Sequence, residues 1–409
     1  MGYQEQWNGY AAFKVQSGLG VPASGAGAKV IRQTGGQGIR MTKASIGSKE
    51  IRRDGMSTRG RHGLQKTAGS YSHELSIGGF DDMLEAVMRG TWSAANLALT
   101  EADFTSITTG ANTIVFASGS PIALGVKVGD VWRLTNHSSA ANNSLNLRVT
   151  GVSSTTITVA ETLVVNAVAD TDCDLTRTGR VLVNPGPGNL VKRYFTVEEY
   201  EYDTDQSEVS SDAVWGSYKL TMAPNGLLTL DTSLVGTGRF DPLASGASPM
   251  FTSPVTSTGV PLAVVEAKVR LGSTDLVDLT AFDITVDIKP SSPDVISPSP
   301  YAPDVFNGSE TVMINMTMLR KDLLALADFV DETPLSLHVL AEENEVAPKD
   351  FFSLFVGNFT LGSVDKSALA KEGGPRTQSV SVPADLVGVD STGAGYDATQ
   401  VKIQVSNAT

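Results

Sequence analysis

Between Ser70 and Ile77 side chains alternate strictly: Tyr71, His73, Leu75 and Ile77 fall on one face, and Ser70, Ser72, Glu74 and Ser76 on the other. That period of two predicts a strand with one buried face. Gly78 and Gly79 end it, and Phe80–Gly90 changes to a period near 3.6, with Phe80, Met83, Leu84, Val87 and Met88 on one side. Asp81 and Asp82 in the first turn, Arg89 in the last and Gly90 as the stop complete the pattern of a short amphipathic helix. Short strands are predicted at Thr113–Ala117, Asp130–Thr135, Leu145–Val149 and Thr156–Val159, separated by Ser, Asn and Gly turns. They read as a compact β-barrel or sandwich module, which we expect to project outward, with Pro185-Gly186-Pro187-Gly188 as its exit. Arg193–Asp212 alternates with acids at Glu199, Glu201, Asp203 and Asp205, and Trp215–Ala223 and Leu227–Val235 form a hairpin turned by Pro224-Asn225-Gly226. Residues 1–38 are Gly-rich and read as an extended arm.

The pattern recurs. Gly69-Ser70-Tyr71-Ser72-His73-Glu74-Leu75 has a counterpart in Gly308-Ser309-Glu310-Thr311-Val312-Met313-Ile314, with Glu310 standing where Tyr71 does. A second short helix, Lys321–Val330, follows it. Trp215-Gly216-Ser217 pairs with Val356-Gly357-Asn358. From Gly69 to Gly216 is 147 residues and from Gly308 to Gly357 is 49, a difference close to the length of the intervening module. The fold expected is mainly β: duplicated sandwich units, each with a short flanking helix, plus an inserted β-module. Residues 1–93 and 189–247 make the first unit, 94–188 the insertion and 248–409 the second unit.

Charge changes the picture at one place. The 409 residues carry a net charge of −13, yet Ser45–Ala68 holds Lys49, Arg52, Arg53, Arg59, Arg61 and Lys66 against Glu50 and Asp54. Its glycines make it read as a long loop. The corresponding stretch of the second unit, Lys289–Asn307, is proline-rich with Asp294 and Asp304. An acidic surface repels nucleic acid. Catalysis has little support: His62, His73, His137 and His338 are scattered without metal-ligand spacing, Cys173 has no nearby His, and no phosphate-binding glycine loop occurs. No metal or cofactor is expected. The polar start of the chain and the absence of a long apolar run predict neither secretion nor a membrane partner, and a chain kept in a reducing cytoplasm.

Taken in order, Ser48-Lys49-Glu50-Ile51-Arg52, Gly69-Ser70, Phe80-Asp81-Asp82-Met83-Leu84-Glu85-Ala86, Trp92 and Phe195-Thr196-Val197-Glu198 resemble the tail tube proteins of long-tailed phages (siphophages). Gly129-Asp130-Val131 and Asn146-Leu147-Arg148-Val149 look like a small β-module often inserted in that family. The resemblance implies a virion structural protein, assembled in the host cytoplasm. Its rings of six tube units stack into the channel for genome delivery. Two units per chain would make a ring of three chains with pseudo-sixfold symmetry; undivided units would need six chains. It also implies tape measure, tail terminator and distal tail proteins as partners, and DNA that passes without specific binding. Lumen-facing candidates are then Ser70, Ser72, Glu74, Ser76, Thr229, Asp231, Ser233, Ser309, Thr311 and Asn315. Lys49, Arg52, Arg53, Arg59, Arg61 and Lys66 become candidates for a contact between rings. Other phage structural parts and an Ig-like bacterial surface protein or adhesin are the alternatives.

Overall fold

Period-two stretches became strands wherever one face could be covered; the computed structural model describes residues 3–94, 96–296, 299–343, 347–371, 373–390 and 393–406. Strand accounts for 46% and helix for 7%, a mainly β fold. The first strands are β1 (Gly9–Val15), β2 (Lys29–Val30), β3 (Gln33–Ile46) and β4 (Arg61–Glu74), followed by helix α1 (Asp81–Met88). The module holds β5 (Leu97–Leu99), α2 (Glu101–Phe104), β6 (Ile107–Thr109), β7 (Thr113–Phe116), β8 (Val131–Thr135), β9 (Leu147–Val152), β10 (Thr156–Val159), β11 (Asn166–Asp170) and β12 (Asp174–Arg177). Then come β13 (Arg180–Val183), β14 (Phe195–Glu201), β15 (Gln206–Met222), β16 (Thr229–Gly236) and β17 (Phe240–Leu243). The last third contains β18 (Ala267–Leu271), β19 (Thr274–Leu276), β20 (Leu279–Asp287), β21 (Thr311–Leu319), α3 (Leu324–Val330), β22 (Leu335–Glu342), β23 (Phe351–Phe359), β24 (Ser363–Lys366), β25 (Thr377–Val382) and β26 (Lys402–Ser406).

Two predicted loops are strands. The arm of residues 1–38 contributes β1, β2 and the start of β3, and the basic stretch is the far end of the β3–β4 hairpin, leaving only 47–60 as loop. In the Gly-rich arm, glycines mark register shifts in β3, between Gln33 and Gly35 and between Gly36 and Gly38. Gly36 (φ 118°) and Gly38 (φ 62°) sit where a Cβ would come within 2.3 Å of the Ser70 carbonyl and 2.4 Å of the Glu199 carboxylate. The acidic run 193–212 contains the β14–β15 hairpin. Its Glu198 is buried, accepting from Ser207 Oγ (2.6 Å) and the amides of Met250 and Phe251.

One sheet runs the length of the chain. Its path is β3–β4–β16–β15–β20–β21–β25–β24, every neighbour antiparallel. The first half of the 17-residue β15 also carries β14, β1 and β17 into a second layer. Covering the far end is a separate sheet, β13–β26–β23–β22–β18–β19. One apolar core fills the space between layers, from Phe13, Tyr71 and Trp215 through Ile284 and Ile314 to Val339, Leu354 and Ile403.

Pairing repeats along the chain. The hairpins β1–β2, β3–β4 and β14–β15 are matched by β18–β19, β20–β21 and β22–β23, and β4–β16 is matched by β21–β25. β15–β16 and β15–β17 are matched by β24–β25 and β23–β26. The ladders set a different register from the one the motifs suggested. Ser70 faces Ser233, which faces Ser217, as Asn315 faces Ser381, which faces Ser363. So Asn315, not Ser309, matches Ser70, and Gly362, not Gly357, matches Gly216. A Cβ on Gly216 would meet Pro290 at 2.3 Å, and one on Gly362 would meet Pro383 at 2.2 Å.

The module's strands form one run, β11–β6–β7–β10–β9–β8–β12–β5, with its own core around Phe104, Trp132, Leu147 and Cys173, and no barrel closes among the described residues. Burial pushes the Cys173 thiol up to about 12. After β12, β13 pairs with β26. The module rests on the outer face of β26, β22 and β23. There Val131 packs with Leu340 and Phe351, and Gln404 bridges the backbone N–H and C=O of Val131. β22 and β23 are buried on both faces along most of their length. Charges are buried in this seam too. Lys402 Nζ lies 3.0 Å from Asp130 and 2.6 Å from Asp397. Burial works against its charge, but the two carboxylates hold its pKa above the ordinary lysine value. Arg148 bridges Glu161 (2.6 Å) and Asp275 (3.1 Å).

Candidate functional site

The long sheet has one buried and one polar face, and the polar face gathers residues from both halves. Rows cross it in register. Ser70, Ser233, Ser217, Asp287 and Thr311 form one, and Ser72, Asp231, Lys219, Thr285 and Met313 the next. Glu74, Thr229, Thr221, Asp283, Asn315, Ser381 and Ser363 make the longest. Behind them point Tyr71, Leu230, Tyr218, Leu220, Ile284, Ile314 and Val380, all buried. His73, also behind, bonds through Nε2 to Thr232 Oγ1 (2.9 Å), and burial lowers its pKa to about 4.

Of the residues singled out by sequence, Ser70, Ser72 and Glu74 on β4, Thr229, Asp231 and Ser233 on β16, and Thr311 and Asn315 on β21 share this face. Ser309 is exposed in the loop just before β21. Ser76 departs from the pattern: it lies beyond the end of β4 and is buried, accepting from Arg32 Nη1 at 3.1 Å. Missed were Ser217, Lys219 and Thr221 on β15, Asp283, Thr285 and Asp287 on β20, and Ser363, Asp365, Ser379 and Ser381 at the far end. The alternation Phe282-Asp283-Ile284-Thr285-Val286-Asp287 carried that signal. Side chains on the face satisfy one another: Ser217 and Ser233 hydroxyls are 2.6 Å apart, Asn315 donates to Asp283 (3.0 Å), and Lys219 lies 3.7 Å from Asp283. Carboxylates outnumber the lone lysine along these rows, so the face disfavours polyanions.

Backbone is left unpaired at both ends of the sheet path. Among the described residues β3 pairs only with β4, and β24 only with β25. Free edges of this kind accept another strand. Near its turn the β3–β4 hairpin is exposed on both faces, with Ile46, Ile51 and Met56 in the open, whereas Gln65 and Thr67, nearer the sheet, are buried. Lys49, Arg52, Arg53 and Arg59 lie on its loop, and Arg61 and Lys66 on β4. Two of these charges are engaged within the chain: Arg52 with Asp54 (2.6 Å) and Lys66 with Asp294 (2.8 Å) on the proline-rich segment. Lys49, Arg53, Arg59 and Arg61 make no ion pair among the described residues.

Asp81 and Asp82, the adjacent acids at the start of α1, are ion-paired to Arg180 and to Lys29 (2.7 Å for the latter). That is the bonding of a structural helix end. What remains is a sheet with one polar face and two edges unpaired among the described residues. A family model described as phage tail tube protein matches residues 7–384, through both halves and the module. The chain belongs to the phage tail tube protein family. It is a structural, non-enzymatic component of the virion tail. No curated protein matches it closely enough to count as a relative.

Proposed function

We propose that this chain is two tube units joined in tandem, the first carrying the module, and that three chains close a ring by adding the β24 edge of one to the β3 edge of the next. The repeated order of strand pairing supports this most directly. Within the chain, β15 already joins β20, and the same step repeated between chains continues the sheet around a channel. Rings stack into the tail tube of a siphophage, with the polar face toward the lumen and the genome passing without specific binding. The β3–β4 hairpin reaches an adjacent ring through Arg53, Arg59 and Arg61 and its exposed Ile51 and Met56. The tube caps and fills with terminator, distal tail and tape measure proteins, and assembles in the host cytoplasm.

Negative-stain microscopy of the purified protein tests the assembly. Rings or tubes with threefold averages are expected; monomers under every assembly condition would overturn it. The lumen assignment has its own test in Glu74→Lys with Asp231→Lys, which should leave tubes intact and slow genome ejection. Failure to form tubes would place these side chains at a subunit contact instead.

A further inference from the structure

The joint between chains can be specified residue by residue, given the proposed ring. Inside the chain, β15 meets β20 with Ser217 opposite Asp287, Tyr218 opposite Val286 and Lys219 opposite Thr285. Ser363 stands in β24 as Ser217 stands in β15, each opposite a serine, Ser381 or Ser233. Two residues on, Asp365 stands in the place of Lys219. On the other edge, Gly38 faces Ser70 as Asp283 faces Asn315. Arg40, Met41 and Thr42 therefore stand where Thr285, Val286 and Asp287 do. Moving the β15–β20 register onto the free edges sets Ser363 against Thr42, Val364 against Met41 and Asp365 against Arg40.

We propose that this is the seam with a second copy of the chain, and that its polarity is reversed relative to the seam inside the chain. Inside, the cation Lys219 is on the donor strand β15, and the anions Asp283 and Asp287 are on β20. Between chains, the anion Asp365 is on β24, and the cation Arg40 is on β3. Arg40 and Asp365 are both exposed and make no ion pair among the described residues. On the opposite face, Val364 would cover Met41, which is 36% exposed. The reversal has a use. Were the β15–β20 joint to open and exchange partners, pairing β24 with a β20 would set Asp365 near Asp283 and Asp287, and pairing β15 with a β3 would set Lys219 against Arg40. Like charges across a ladder disfavour both, so a second half accepts only the first half of another copy. The two kinds of seam then alternate around the ring without mispairing.

Directly opposed residues in an antiparallel pair have Cα atoms about 4.5–5.5 Å apart, within disulfide reach. A chain carrying Thr42→Cys and Ser363→Cys should oxidise to covalent oligomers that close at three on a non-reducing gel, while each single variant stays uncrosslinked. Asp365→Arg or Arg40→Asp alone should cut ring yield several-fold with an unchanged melting temperature of the free chain, and the double exchange should restore it. Wild-type rings without the cross-link, or rings indifferent to both reversals, would overturn this seam while leaving the ring in place. A wild-type chain that never forms rings would overturn the assembly itself.

Discussion

Helices α1 and α3 occupy matching positions after β4 and β21, yet one is covered and the other is not. Met83, Leu84, Ala86, Val87 and Met88 of α1 are buried. The segment after the module straps over α1: Val191 donates to Arg89 O, Asn184 reaches Met88, and Arg193 pairs with Glu85. At its end Arg89 meets Glu310 of the second half, 3.4 Å away. Of α3 only Ala325 is buried, while Leu324 and Val330 are 64% and 70% exposed. Four residues, 331–334, link α3 to β22, so no strap crosses it. Amphipathic sequence alone therefore does not say whether a helix is finished within its own chain. The neighbouring connection decides that.

Truncation should separate the two helices most sharply. Leu84→Ala removes a fully buried side chain and should cost about 2–5 kcal/mol, read as a fall in denaturation midpoint of the unassembled chain. Arg89→Ala comes next, at about 1–3 kcal/mol. Burial already raises the pKa of Glu310, against Asn184 and Arg89, which lower it. A carboxyl raised in the fold favours folding only below its unfolded pKa, and that contribution is lost as pH rises through the folded value. Without Arg89 the rise is larger, so the Arg89→Ala deficit should be greatest near pH 7 and shrink toward pH 4; a pH-independent deficit would mean the pair does not act through Glu310. Smallest is Leu324→Ser, within about 0.5 kcal/mol in the free chain. A loss comparable to that of Leu84→Ala would mean α3 is packed after all.

What could be read from the sequence follows from what each residue answers to. Thr229–Gly236 and Leu279–Asp287 have one wet and one dry face, and their period of two shows it. α1 was legible within a residue or two. The β3 strand was not, because its glycines serve register shifts and its basic residues stand in solvent on both sides. The repeat was visible but misaligned by six residues at Ser70 and five at Gly216, since its register is set by distant ladders. Phe195 opposite Ala213 corresponds to Leu335 opposite Phe359. The even error kept the predicted residues on the correct face, whereas the odd one set Gly216 against a glycine whose Cβ would meet the carboxylate of Asp390. The module's docking left no trace in local pattern: Asp130, Arg148 and Lys402 look like surface charges until the fold buries them.

That docking places the module, complete as sequence by residue 177, against a strand near the far end of the chain. β13 waits for β26, and Asp130 waits for Lys402, more than two hundred residues away. During translation the module can fold early but cannot seat until β26 leaves the ribosome. A product cut short before that strand would keep Asp130 and Arg133 without their seam and α1 under a loose strap. Seating the module therefore depends on a strand far from it in sequence: without β26, Asp130 loses Lys402 and Arg133 loses Ser406.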